Sequence, residues 1–334
     1  MIKKTIKIIL PELVKLKIRY WLNLKKIYSN YFYDIKRYCK YSATFATKEP
    51  KQLLGKIIAH YHVIEKGLSY QEIKLGFARD IVQNLIFMLK TYSDKNFDIS
   101  NTQYLTAVSV IQKYIDLHEQ KEFNVTSVKN MFYGIKVPVT CNMGGCIELT
   151  KDEIDLKRKL DFKEMAFSRY SIRDFTEDDV DVRMLEEAIR ISQKSPSVCN
   201  RQTTRVYIVL SKPTIEKYLS YQNGNRGFGH KINKLLIITS NLNYFEGINE
   251  RNQSFIDGGI FGMSLLYALH YLGLGAVTLN WCTNQEKDKK FRAVSEIRDN
   301  ENIILMIGVG NIPEKFKVPK SERNSLEEIV SYIK

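Results

Sequence analysis

The sequence has few of the residues that cross-link chains or bind metals. Five cysteines and five histidines occur among 334 residues, and no two cysteines form a CxxC pair. An odd, dispersed set of thiols indicates neither a disulfide framework nor a four-thiolate zinc site. Hydrophobic residues make up 44% of the chain and charged residues 26%, as in globular proteins. We therefore expect a cytoplasmic protein of a reducing compartment, without a resident metal.

Targeting and membrane-spanning segments are also not indicated. Lys7 interrupts the first apolar run, Pro11 ends it, and no small-residue cleavage site follows, so we expect no signal peptide. The stretch from Gly258 to Leu279 is almost uncharged and long enough to cross a bilayer. Gly273 and Gly275 divide it into a helix, a turn and a strand, which favours a buried segment over a transmembrane span.

Positive charge is concentrated near the N-terminus. The formal net charge is +14, and residues 1–40 hold eleven Lys or Arg against two acidic residues. Apolar residues recur there at spacings of three and four, which predicts an amphipathic helix: Leu13, Leu16, Tyr20, Leu24, Ile27 and Tyr31. The stripe could pack on the chain's own core, or it could bind an anionic membrane surface. No RRM, KH or zinc-knuckle pattern is present, so we expect no nucleic acid partner.

The hydrophobic pattern predicts three parts. Residues 1–133 form a basic helical region, with helices near 51–66, 72–92 and 102–119. Residues 134–154 form a linker or extended arm, and residues 155–334 form a mixed domain. We predict strands at 205–210, 235–240, 276–281 and 303–309, and helices at 182–194, 213–221, 251–272 and 284–293. Strands separated by helices are typical of an α/β or α+β sandwich.

One short segment has the residues of an anion site. Arg169, Ser171 and Arg173 alternate within FSRYSIRDF, so they share a face if the segment is extended. Guanidinium groups suit a phosphate dianion, and the hydroxyl adds a neutral donor. A surface arginine pair is the alternative. Asn200 and Gln202 follow in a loop beside a strand, where their amides could read a planar heterocycle or only cap a turn.

Two histidines are interpreted as structural. His62 and Glu65 have an i, i+3 spacing that some metal sites use, but no matching ligands repeat, so we interpret the pair as neighbours on one helix face. His270 lies on an apolar helix and is interpreted as a core histidine with a hydrogen-bond partner.

Four blocks in one order carry a resemblance to a known family: RYSIRDF, SPSVCNRQTTRVYIVL, FIDGGIFGMSLLYALHYLGLGAVTLNW and MIGVGNIPEKFKVPKSERNSLEEIV. Across about residues 160–334 the chain resembles the nitroreductase family of FMN proteins. The resemblance implies an α+β fold with a central, mostly antiparallel sheet flanked by helices, here preceded by an all-helical region. It also implies a homodimer with FMN at the subunit interface.

The same resemblance implies which residues bind the cofactor. The segment Arg169, Tyr170, Ser171 and Arg173 would hold the phosphate and ribityl chain, with Lys320 and Arg323. The residues expected from the partner subunit are Pro196, Ser197, Asn200 and Gln202. Those expected near the reactive flavin N5 are Leu279, Asn280 and Trp281. The glycines of QNGNRGFG lack the strand-to-helix context of a Rossmann loop. This loop is instead expected to approach the flavin from the side, with Gln222 or Asn225 as contacts.

The resemblance implies an oxidoreductase that passes two electrons from NAD(P)H through FMN to an electrophilic small-molecule substrate. The string HYHVIEKGLSYQEIKLGF is similar to an N-terminal extension of nitroreductase-like proteins from bacterial surface-polysaccharide gene clusters. The first 150 residues are expected to lie outside the catalytic domain. Two alternatives stay open: a non-catalytic scaffold at the membrane face of a glycan-assembly complex, and a flavin dehydrogenase reoxidised by oxygen.

Overall fold

The fold is that of a computed structural model, which describes residues 11–41, 43, 47–136, 143–245 and 248–333. The expectations about residues 1–10, and about the part of the linker at 137–142, lie outside the described residues.

Helices make up the described N-terminal part, as predicted: α1 (Glu12–Tyr41), α2 (Pro50–Leu68), α3 (Arg79–Asp94), α4 (Thr102–Gln120) and α5 (Thr126–Phe132). Local sequence explains the start of α2. Pro50 occupies its first turn, and Glu49 and Gln52 form a reciprocal capping box. α2, α3 and α4 pack together around one hydrophobic core, with Ile57 and Tyr61 as central contributions from α2.

Helix α1 stands apart from that core. Its apolar side chains are largely exposed, including Leu13 at 74% and Tyr20 at 62% of their full accessibility. The interpretation that this stripe packs on the chain's own core is therefore wrong for the single chain. Helix α1 comes close to the short turn Ile248–Glu250, but its apolar stripe stays largely exposed.

The C-terminal part alternates helices and strands: β1 (Cys146–Thr150), α6 (Lys151–Lys157), α7 (Phe162–Ser168), α8 (Val182–Ser192), β2 (Thr204–Val209), α9 (Lys212–Leu219), β3 (Lys234–Asn241), α10 (Gln253–Tyr271), β4 (Leu274–Asn280), α11 (Gln285–Val294), β5 (Glu301–Asn311), β6 (Lys315–Pro319) and α12 (Leu326–Ile329). The predicted strands correspond to β2, β3, β4 and β5. The predicted helices correspond to α8, α9, α10 and α11.

The central sheet is antiparallel, with strand order β2-β3-β5-β4. Along β3, Leu236 and Ile238 face one core, which α10 covers, while Leu235 and Ile237 face the other. This alternation follows from the two-residue repeat of a strand and explains why the centre of β3, residues 235–238, is apolar on both faces. The predicted fold class, an antiparallel sheet flanked by helices and preceded by a helical region, is confirmed.

A second, two-stranded sheet pairs β1 with β6, with Cys146 opposite Pro319 and Thr150 opposite Lys315. Neither strand is predicted from the sequence, and residues 146–150 lie within the predicted linker, 134–154. Each strand is only five residues long and depends on a partner far away in the chain. The pairing brings the chain after the N-terminal helices against the C-terminal tail.

Within the described residues, no helix is long and apolar enough to span a membrane. Gly273 has a φ of +86° and reverses the chain between α10 and β4. The prediction that Gly258 to Leu279 forms a helix, a turn and a strand is confirmed.

Candidate functional site

A cavity of about 610 Å³ lies between the segment after α7, one face of α10 and the C-terminal tail. Its volume is in the range of small-molecule and cofactor sites. Six residues predicted to bind phosphate or ribityl groups line it: Arg169, Tyr170, Ser171, Arg173, Lys320 and Arg323. The structure therefore brings together two parts of the sequence about 150 residues apart.

Arg173 lies deep in this cavity. Its Nη1 donates a hydrogen bond to the carbonyl of Ser171 at 3.1 Å, and its guanidinium carbon is 5.8 Å from the ring centroid of Phe228. Its Nε is buried and has no hydrogen-bond partner. Burial lowers the pKa of Arg173 to about 10, against the opposing influence of Tyr70 and Glu65. A donor left in this state is suited to an anionic ligand.

The cavity carries an excess of positive charge. No carboxylate of the described residues lies within ion-pair distance of Arg169 or Arg173. Burial lowers the pKa of Arg169. Lys66 of α2 also has a lowered pKa. Burial is the larger cause, and the positive charge of the nearby Arg173 is the second. A phosphate dianion would compensate these desolvated cations, so the residues present fit an FMN phosphate.

The C-terminal tail is attached to the N-terminal helices. The backbone amide of Lys320 donates to the carbonyl of Gly145 at 3.0 Å. Farther along, the Gln103 amide donates to the Asn324 side chain, and Asn101 Nδ2 donates to Glu328 Oε1 at 2.7 Å. These contacts fix the tail segment that carries Lys320 and Arg323 beside the cavity.

The loop predicted to reach a partner's flavin does not line the main cavity of the single chain. Pro196, Ser197 and Gln202 line a separate pocket of about 140 Å³, together with Asp257 and Phe261 of α10.

The backbone of this loop has an unusual conformation. Asn200 and Gln202 have φ values of +53° and +50°, which non-glycine residues seldom adopt. The amide of Gln202 donates to Ser197 Oγ at 2.9 Å, and the amide of Val198 donates to Asp257 Oδ2 at 3.2 Å. Backbone held in this way is found at functional sites more often than elsewhere.

The end of β4 does not line the main cavity in the single chain. Leu279 is buried in the core, and Trp281 packs on Phe291 of α11 with ring centroids 4.7 Å apart. The indole Nε1 donates to Asp288 Oδ1 at 2.8 Å. Asn280 is exposed, and its carbonyl accepts a hydrogen bond from Gln222 Nε2 at 2.9 Å.

The side chains of Gln222 and Asn225 are used within their own loop. Gln222 is buried, and its Oε1 accepts from the Gly224 amide. Asn225 Nδ2 donates to the carbonyls of Leu219 at 2.8 Å and of Gln222 at 2.9 Å. Neither residue lines the main cavity. In the single chain both amides stabilise the turn that supports the end of β4.

Two residues from the first 150 line the main cavity: His62 of α2 and Ile147 of β1. The region that was expected to lie outside the catalytic domain therefore contributes two side chains to the cavity wall. In the sequence, His62 stands out for its i, i+3 spacing from Glu65. That His62 lines the same cavity as Arg169 depends on packing between distant segments of the chain. Met263 and Tyr267 of α10 also line the cavity and were not predicted.

His270 lies behind the site, where its Nε2 is 2.9 Å from the hydroxyl of Ser168. It is 4% exposed, which confirms the interpretation of a core histidine with a hydrogen-bond partner. Burial, and then the nearby Arg169, lowers its pKa to about 4.

Comparison with known proteins gives one family match. Residues 166–223 match the model of the nitroreductase family, and this segment includes Arg169, Ser171 and Arg173. The match confirms the resemblance found in the sequence. No curated protein matches the chain.

Several solved structures are similar to about half of the chain. A nitroreductase family protein from Clostridium difficile is 24% identical over 52% of this chain and 98% of its own, with a TM-score of 0.42. One from Streptococcus pneumoniae is 20% identical over 52% and 100%, with a TM-score of 0.44. A candidate NAD(P)H:FMN oxidoreductase from Staphylococcus epidermidis is 18% identical over 52% and 96%, with a TM-score of 0.46.

Proposed function

We propose that this chain, whose residues 166–223 match the nitroreductase family, is an FMN-dependent oxidoreductase. It would pass two electrons from NAD(P)H to an electrophilic small molecule in the cytoplasm. The observation that carries the proposal is the guanidinium of Arg173, whose buried Nε has no hydrogen-bond partner and which shares one cavity with Arg169 and Ser171. The family match supports an oxidoreductase and covers this same segment.

In this proposal the chain's own residues bind and orient the cofactor. Arg169, Ser171 and Arg173 would hold the phosphate and the ribityl chain, together with Lys320 and Arg323. When bound, FMN would supply the two-electron chemistry, so the protein needs no nucleophile of its own. The ring of Tyr267, which lines the cavity, would help to exclude water from the site.

A homodimer is part of the proposal. One face of α10 is buried against the sheet, while side chains on its other face are exposed at helical spacing, as for Phe255, Ile256 and Ile260. A contiguous apolar face of this kind suits a self-complementary contact. A partner's loop with Ser197 and Asn200 could then reach the cofactor.

The scaffold alternative draws on the exposed apolar stripe of α1, which suits attachment to a membrane face. Arg169 and Arg173, which have no carboxylate within ion-pair distance, weigh against it, because a site that never binds an anion keeps their desolvation cost uncompensated. A dehydrogenase reoxidised by oxygen would use the same cavity. The link to surface-polysaccharide biosynthesis stays a prediction.

Spectra and turnover of the purified full-length protein test the proposal. We expect a yellow protein that releases FMN on denaturation and that oxidises NADH or NADPH when a quinone or nitroaromatic acceptor is added without oxygen. A protein that binds no FMN when the cofactor is supplied contradicts the proposal. Bound FMN without nicotinamide turnover favours the scaffold, and flavin reduced only by another donor favours the dehydrogenase.

A further inference from the structure

His62 places an imidazole from the N-terminal helices in the wall of the cavity. It lies in the last two turns of α2 and lines the cavity together with Arg169, Ser171 and Arg323. Its side chain is 36% exposed, so the ring is reachable from the cavity. The other described histidine of α2, His60, does not line the cavity and hydrogen bonds to the carbonyl of Lys56.

A buried carboxylate lies behind this imidazole. Glu65 is fully buried, and its Oε1 accepts a hydrogen bond from the amide of Gly145 at 3.0 Å. Its second oxygen, Oε2, is buried without a hydrogen-bond partner and is 3.5 Å from His62 Nδ1. A buried carboxylate oxygen is costly to leave unsatisfied, so a small approach of the imidazole Nδ1–H would stabilise it.

The two nitrogens of an imidazole point in different directions. With Nδ1 directed at Glu65, Nε2 is the nitrogen left to face a ligand. When the ring is protonated both nitrogens are donors, so the ring can bridge a carboxylate and a second anion. A partner carboxylate also fixes the ring's orientation, as it does for histidines that bind metals.

We infer that His62 binds the phosphate of the cofactor directly and that Glu65 is its positioning residue. The inference rests on the proposed function and makes the N-terminal helical region part of the cofactor site. The cavity that His62 lines also holds Arg169 and Arg323, which the proposed function assigns to the phosphate.

Comparison of FMN with riboflavin isolates the contribution of the phosphate. Flavin-free full-length protein is titrated with each flavin by fluorescence, for wild type, His62→Gln and the matched control His60→Gln. We expect His62→Gln to bind FMN about tenfold more weakly, the loss expected for one hydrogen bond to a charged group. Riboflavin affinity should not change, which also shows that the variant is folded. His60→Gln should behave as wild type.

Unchanged FMN affinity of His62→Gln, or an equal loss for both flavins, overturns the inference while the proposed function stands. If wild type binds neither flavin, the proposed function fails, and the inference fails with it.

The role of Glu65 has its own test. Glu65→Gln retains an acceptor for the Gly145 amide but has no charge to orient an imidazolium. We expect it to lower the preference for FMN over riboflavin in the wild-type background and to have no further effect in His62→Gln. Equal losses in both backgrounds would show that Glu65 does not act through His62.

Discussion

Glu65 is joined to Lys320 through a single residue of the chain. The Glu65 side chain accepts the amide hydrogen of Gly145 at 3.0 Å, and the carbonyl of Gly145 accepts the amide hydrogen of Lys320, also at 3.0 Å. Gly145 has a φ of +110°, a conformation that glycine adopts readily. The N-terminal helices and the C-terminal tail thus meet at the edge of the cavity.

The first prediction concerns the arginines of the cavity. Arg169→Ala or Arg173→Ala should weaken FMN binding more than Ser171→Ala. A hydrogen bond to a charged group is worth roughly 1.5 to 3 kcal/mol, and a neutral one about 1 kcal/mol. Flavin titration measures the difference. Arg183→Ala is the control, because Arg183 is an exposed arginine paired with Asp181. Equal flavin retention by all three site variants would remove the phosphate assignment.

The second prediction concerns the dimer. Ile260→Glu places a charge on the exposed face of α10 and should convert a dimer into monomers that lose flavin. Phe87→Glu, at a residue of α3 that is also exposed, should leave the dimer intact. Light scattering with simultaneous absorbance measures both. A flavin-loaded monomer of the wild type at low concentration would contradict the prediction.

The third prediction concerns α1 and the basic residues before it. Each Lys or Arg near an anionic bilayer contributes about 1 kcal/mol, and salt screens exposed charges over about 8 Å at physiological ionic strength. The full chain should therefore sediment with anionic liposomes at low salt and be released at high salt. A chain beginning at Ala43 should stay in solution, and neutral liposomes are the control. Failure of the full chain to bind anionic liposomes at low salt would exclude the membrane surface.

The fourth prediction concerns His270 and pH. Its folded-state pKa of about 4 is below the ordinary value of 6.5, so the unfolded chain binds a proton more readily. Stability from this group is complete above pH 6.5 and is lost as the pH falls from there toward 4. Between pH 7.5 and pH 5 the loss should be about 2 kcal/mol.

Urea unfolding at the two pH values measures that loss. His270→Gln retains an amide that can hydrogen bond to Ser168 but does not titrate, so its stability should fall less over the same interval. An identical fall for wild type and variant would mean that His270 does not become charged on unfolding in this range.

Local sequence patterns predicted the central strands of the sheet. The apolar patterns around β3, β4 and β5 predicted the positions of these strands, because alternating or continuous apolar residues are visible in a few adjacent positions. The contacts of a side chain are not predicted in this way. The sequence placed Trp281 at the end of a strand, but its hydrogen bond to Asp288 depends on how α11 packs against the end of β4.

The sequence by itself determined the order of helices and strands, the resemblance to a flavoprotein family and the clustering of Arg169, Ser171 and Arg173, because each depends on residues close together in the chain. Tertiary structure alone decided that β1 pairs with β6, that the stripe of α1 stays exposed, and that His62 enters the wall of the cavity with Glu65 behind it. The strand pairing and the position of His62 depend on contacts between segments 80 or more residues apart, such as the hydrogen bond between Glu65 and Gly145. Their free energy comes from packing and desolvation at both ends of the contact, which no single stretch of sequence contains.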